Sequence, residues 1–246
     1  MLDCPDLRIA DGGDDSAALS RVERRKREKL SAIKRAARAL FAKKGFKSAT
    51  TREIAEGADI GTGTLFLYTR SKEELLVEIF IEELGETLDG AFATMGEGEP
   101  VLEQLLHIFF VLVRYHDPDR ELGRVFVKEL LFVERRLNQR TMAFLDDVYQ
   151  RMAAIIGRAQ ERGEISRGLP AYPLARNLFA LYIFTLKNWL AGSHPREDCE
   201  RRLRESLGLH LCCVAPIKDP GVLPAPRPRR TVKGGAAKGR RRKSFR

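Results

Sequence analysis

The chain has 246 residues, of which 43% are hydrophobic and 32% charged, the balance of an ordinary globular protein, which excludes fibrous and largely disordered readings. Its formal net charge of +10 is unevenly placed. No run reaches the roughly 18 apolar residues of a membrane span, and the acidic N-terminus lacks the basic-then-apolar order of a secretory signal, so the expected location is cytoplasmic.

Residues 1–20 carry five Asp and one Arg with few large apolar side chains and read as a disordered acidic leader. Residues 21–72 carry fifteen Lys or Arg against five acids, a local net of +10 that suits a polyanion. Residues 73–216 hold seventeen basic against twenty-three acidic groups, a net of −6. The segment 217–246 has eleven basic groups and only Asp219, and its Pro, Gly, Lys and Arg content predicts a disordered basic tail. The four cysteines, Cys4, Cys199, Cys212 and Cys213, form no paired framework and no C-x-x-C, as for thiols kept reduced. His210 with Cys212 and Cys213 lacks the further ligands of a metal site, so neither metal nor cofactor is expected.

In chain order, Leu30, Ile33, Ala37, Leu40 and Phe41 recur along one side of a helix that runs to about Lys44, where Gly45 supplies the residue type of a helix end. Thr50 followed by Glu53 is a capping box that starts a two-turn helix at Thr51. Gly57 to Gly61 then predicts a tight turn, and a third helix is expected from about Thr62 to Tyr68. Ser71 with Glu74 repeats the capping pattern and opens a fourth helix at Lys72 that passes through Leu84. Further helices are expected at 101–115, 120–133, from 139 to near Gly163, and 174–190, with a break at Pro170 to Pro173. A last one, after Pro195, carries Leu203, Leu207, His210 and Leu211, and no strand pattern stands out.

A short helix, a tight turn and a second short helix inside a basic module describe a helix-turn-helix DNA reader. The strings Thr50-Thr51-Arg52-Glu53-Ile54-Ala55, Ala58-Asp59-Ile60-Gly61-Thr62-Gly63-Thr64-Leu65-Phe66-Leu67-Tyr68 and Ser71-Lys72-Glu73-Glu74-Leu75 make the pattern far more specific. Together they resemble the N-terminal domain of the TetR family of transcriptional regulators, over roughly residues 28–80. Asp59 stands where that family usually has a turn glycine, Phe66 where it usually has tyrosine, and Thr69 where it often has phenylalanine.

The resemblance implies an all-α protein. Its N-terminal three-helix DNA-binding domain (21–72, motif 50–69) is joined to a helical ligand-binding and dimerisation domain (73–216). It also implies a ligand-responsive repressor, acting as a homodimer on a palindromic operator and associated with the nucleoid when bound to DNA.

Thr62 and Thr64, at the start of the third helix, offer hydroxyls and methyls to base edges, Gly63 leaves room for close approach, and Phe66 presents an aromatic face. Arg52 suits a guanine or a phosphate. Thr50, Thr51, Tyr68 and Lys72 suit phosphates, which set position rather than sequence. Ile54, Ala55, Ile60 and Leu65 are expected in the core of the module.

In the acidic body, Phe109, Phe126, Glu129, Tyr149, Met152, Phe179, Tyr182 and Trp189 are the residues expected to line a pocket for a small amphipathic or apolar inducer. The nearly all-round apolar 174–190 helix suits dimerisation. An enzyme is disfavoured because no nucleophile, base and orienter stand at motif spacing, and no phosphate loop is present. The alternative function is nonspecific binding of nucleic acid or an anionic surface, driven by Arg240-Arg241-Arg242-Lys243.

Overall fold

The computed structural model describes residues 21–132, 139–192 and 194–216. The acidic leader, the basic tail and Cys4 lie outside the described residues. Among the described residues the chain is all-helical, in nine α-helices and one 3-10 turn. These are α1 Arg21–Lys44, α2 Thr51–Gly57, α3 Thr62–Leu65, α4 Lys72–Thr94, α5 Val101–His116, α6 Arg120–Phe132, α7 Gln139–Glu161, α8 Ala171–Ala191 and α9 Arg196–Val214, with the 3-10 turn at Asp117–Asp119.

The N-terminal module forms as the residue pattern dictates. Ile33, Ala37 and Phe41 of α1 are buried against Ile54, Ala55 and Leu65, while Ile60 is only partly covered. Gly45, at φ +75°, turns the chain after α1. Thr50 and Glu53 close the capping box at both ends, through Glu53 N to Thr50 Oγ1 (3.2 Å) and Thr50 N to Glu53 Oε2 (3.1 Å).

α3 is shorter than its sequence suggests. Regular helix stops at Leu65, and Phe66 to Tyr68 continue as turns, with Leu67 N on Thr64 O and Tyr68 N on Leu65 O. Tightening to i→i+3 bonds is a common ending for a helix with a bulky, poorly helix-favouring Phe-Leu-Tyr end and no C-terminal glycine.

At the start of α4, Ser71 Oγ accepts from Glu74 N, but the Glu74 carboxylate accepts from Arg70 N (2.7 Å) instead of from Ser71, so the second capping pattern is only half a box. At α8, Pro170 is the N-cap and Pro173 sits inside the first turn. Its missing N–H removes a donor that has no intrahelical partner there, so the Pro170 to Pro173 segment starts the helix rather than interrupting it.

α4 joins the module to the body. It packs against α1 on one side and against α5, α6 and α7 on others. Lys34 Nζ reaches Glu82 (2.9 Å) and Glu78 (3.7 Å), Arg38 Nε bonds Glu83 (3.0 Å), and Phe80 turns inward to stack on Phe126 (4.6 Å). The body is completed by α7 along α8 and by α9 against α5 and α8. Leu105, Ile108, Phe109, Val113, Met152, Ile155, Ile156 and Leu178 are all but inaccessible. Each such side chain contributes roughly 1.5–3 kcal/mol through burial. The buried residues form one continuous core from α1 to α9.

Candidate functional site

The surface built by α2 and α3 is exposed where a DNA reader must be. Gly61 caps α3 without a side-chain bond, and an added Cβ at Gly63 would meet nothing within 4 Å. Thr62 and Gly63 are exposed, Thr64 is half-buried, and Phe66 is 50% accessible rather than turned into the core. Leu67, missed by the sequence reading, is 80% exposed beside it. The signal was available: Leu67 lies two residues past fully buried Leu65, which on a helix is the far side.

The turn holds because Asp59 takes φ +54°, the left-handed region that its short polar side chain tolerates better than most. Thr69, where the family often has phenylalanine, is 3% exposed and donates its hydroxyl to Ser71 O (2.9 Å).

On α2, Thr50 and Thr51 lie at the outer start of the helix, and Arg52 extends into solvent while pairing with Glu56 (2.9 Å). That exposed i,i+4 pair contributes only a few tenths of a kcal/mol, about 0.3–0.5, and yields readily to a competing phosphate. Glu53 is already committed. A hydrogen bond from Lys44, and then those from Thr50, hold its carboxyl down at about 2, so it stays ionised and fixes α1 to the start of α2. Tyr68 is half-buried against the module core.

Lys72 differs from its expected role at phosphate. Its ammonium donates to the carbonyls of Phe46 (2.9 Å), Lys47 (3.2 Å) and Ala49 (3.0 Å) and lies 4.7 Å from the Phe46 ring centroid. An ammonium has three hydrogens, and all three are used. Lys72 therefore ties the loop between α1 and α2 to the first residue of α4. Upstream, Arg21 to Lys29 of α1 are exposed and mostly basic, a cationic flank beside the reading surface.

In the body, Leu84, Leu88, Leu112, His116, Phe126, Leu130, Phe144, Val148, Phe179, Tyr182, Ile183 and Leu186 surround an apolar chamber drawn from α4 to α8. Its void is about 20 Å³, room for about one water. Leu130, Phe179 and Ile183 are shared with a surface groove of about 350 Å³ that also takes in Tyr149, Ala180, Phe184 and Lys187. Chamber and groove thus share a wall from α6 and α8.

Of the residues expected to line a pocket, Phe126, Phe179 and Tyr182 line the chamber, and Tyr149 and Phe179 the groove. Phe109 stands behind, stacked on Tyr182 at 4.7 Å. Met152 is sealed in the core, and Glu129 is on neither wall and pairs with Lys128 (3.2 Å). Trp189 lies apart, under Arg120 (4.2 Å), at a separate cavity with Cys199 between α8 and α9.

The residue that sequence reading did not single out is His116. It is 3% exposed, and its ring lies beside the stacked pair of Phe80 (5.9 Å) and Phe126 (6.0 Å), nearly parallel to both. No hydrogen bond to the imidazole is made among the described residues, and Nδ1 is fully enclosed. Burial pushes its pKa down to about 4, so the ring is neutral near pH 7. An unpaired buried polar group costs about 1–3 kcal/mol.

Comparison with known proteins agrees with this layout. The model for bacterial regulatory proteins of the tetR family matches residues 33–79. The HTH-type transcriptional repressor KstR of Rhodococcus jostii is 28% identical over 200 residues, covering 81% of this chain and 88% of that protein. The fatty acid metabolism regulator protein of Bacillus subtilis is 25% identical over 167 residues, 68% of this chain and 86% of its own. The resemblance to the tetR family thus lies in the N-terminal module. It is a DNA-binding transcriptional regulator, as these relatives are by name. Among solved structures, the TetR-family repressor FadR of Thermus thermophilus, in complex with lauroyl-CoA, superposes with a TM-score of 0.65 at 26% identity. That match covers 78% of this chain and 98% of FadR. Among the described residues, no helix is long and apolar enough to cross a membrane.

Proposed function

We propose that the chain is a ligand-responsive repressor that binds a palindromic operator as a homodimer and releases it when an acyl thioester enters the body. The observation that carries this reading is the apolar chamber that shares Leu130, Phe179 and Ile183 with an apolar surface groove carrying Lys187. A hydrocarbon chain suits the chamber walls, and an anionic head suits the exposed end of the groove. The lauroyl-CoA complex of Thermus FadR supports the ligand class.

Thr62, Gly63, Thr64, Phe66 and Leu67 face the bases, and Thr50, Thr51, Arg52 and Tyr68 the backbone. The dimer forms through α8 and α9, where Phe184 is 61% and Leu209 71% exposed although the opposite faces of both helices are buried. Such a regulator works in the cytoplasm, on the nucleoid. Ligand acts by favouring the conformer whose two reading heads no longer match the operator spacing, which requires tighter binding to that conformer.

Selection of bound duplexes from a random pool tests the reading. The expected product is a palindrome with half-sites about 34 Å apart or a multiple of that, released by palmitoyl-CoA and bound weakly by Thr62→Ala and Thr64→Ala variants. Selected DNA without dyad symmetry, or binding that survives both substitutions but is lost on removing residues 217–246, overturns it.

A further inference from the structure

A wall that serves only to exclude water has no use for an imidazole. Leucine or phenylalanine would fill the place of His116 without an unpaired polar edge, as they do at Leu84, Leu88, Leu112 and Phe126 around it. The ring is also held in place. Phe80 and Phe126 lie together on one side of it, nearly parallel to it, Tyr115 meets it edge-on at 5.2 Å, and an added Cβ at Gly123 would come within 2.9 Å of Nδ1. An imidazole so confined keeps a fixed direction for its donor and its acceptor.

We propose that His116 is the specificity-determining residue of the chamber, hydrogen-bonding a hydroxyl carried on the inner part of the ligand's hydrocarbon, so that a hydroxylated acyl chain is preferred over a saturated one. This rests on the acyl-thioester reading above. A hydroxyl can either donate or accept, so it can pair with the ring nitrogen that meets it in either tautomer of a neutral imidazole. Because burial keeps the ring neutral near pH 7, a carboxylate gains no charge partner there. The ionic head therefore stays in the groove, where Lys187 lies, and His116 is not among the residues that line that groove.

The test is calorimetric titration of the full chain with straight-chain acyl-CoA thioesters from octanoyl to palmitoyl and with their ω-hydroxylated counterparts. The expected result is that, at one or more lengths, the hydroxylated member binds about tenfold tighter than its saturated partner. In His116→Phe, which keeps a flat ring beside Phe80 and Phe126, that ratio falls to about one. If His116→Phe does not melt cooperatively, His116→Leu, with no ring to fit against Gly123, is read in the same way. Equal affinities for both series in the wild type, or a ratio unchanged by the substitution, overturn the role of His116 while leaving the acyl reading standing. Silence of both series overturns the acyl reading and this inference with it.

Discussion

Tyr115 donates its phenolic hydrogen to Glu83, whose other carboxylate oxygen accepts from Arg38 Nε at 3.0 Å, so that one acid joins α5, α4 and α1. Burial, and then the bond to Glu83, push the Tyr115 pKa well above its ordinary value, so the phenol remains a donor at any physiological pH. Tyr115 also abuts His116, which places this junction between the chamber and the DNA-binding module. Tyr115→Phe removes the donor but keeps the ring. It is expected to cost about 1–2 kcal/mol, read as a lower urea midpoint with an unchanged slope.

Lys72→Met separates the two roles available to that lysine. Three carbonyls lose their donor, so a loss of about 2–3 kcal/mol in stability is expected. A lysine that neutralised a phosphate would instead lower the salt slope of DNA binding by about one on removal. The expected outcome is reduced stability and an unchanged slope, checked by denaturation and by operator titration across salt concentrations.

Asp59→Gly is expected to raise stability by up to about 1 kcal/mol, because glycine takes φ +54° without steric cost. Asp59→Ala is expected to lower it by a similar amount. Thermal melting of both variants checks the sign.

Phe66→Ala and Leu67→Ala remove exposed apolar surface, so they are expected to leave the melting temperature within about a degree or two, as for surface changes generally. Operator affinity is expected to fall by about tenfold for each, read by anisotropy. A matching loss for random DNA would assign these side chains to backbone contact alone.

The pH dependence follows from His116. Its folded-state pKa is depressed from 6.5 to about 4, so between those values the unfolded chain binds more protons than the folded one. Stability from this group is therefore full above pH 6.5 and declines as pH falls toward 4, by on the order of 3 kcal/mol. Equilibrium unfolding from pH 7 to 4 should show that loss in the wild type and a shallower decline in His116→Phe. Glu53 acts in a lower window: its support is present above the ordinary carboxylate value of 4.5 and is lost as pH falls through about 2.

The helix order and the exposed surface of α2 and α3 were legible because local chemistry specifies them. Caps at Thr50 and Ser71, glycine at 45 and the buried periodicity of α1 act within a few residues of themselves. The pocket was not legible in the same way. Aromatic size pointed equally to Phe126, which lines the chamber, to Phe109, one layer behind it, and to Trp189, on another side of α8. Which of them touches a void depends on how α4 to α8 cross, a long-range property. Lys72 misled for a related reason: its sequence position at a helix start is that of a phosphate ligand, but its donors are taken by carbonyls twenty-three to twenty-six residues earlier.

The three-carbonyl seat of Lys72 also decides what kind of signal the reading head can receive. α3 has only four helical residues, too few to hold a direction unaided, and the loop ahead of α2 is fastened to the first residue of α4. A rotation of α4 therefore swings α2 and α3 as one piece. The reading surface is aimed rather than rebuilt, and in the proposed homodimer a bend of α4 carries the two surfaces out of step with the pitch of the double helix.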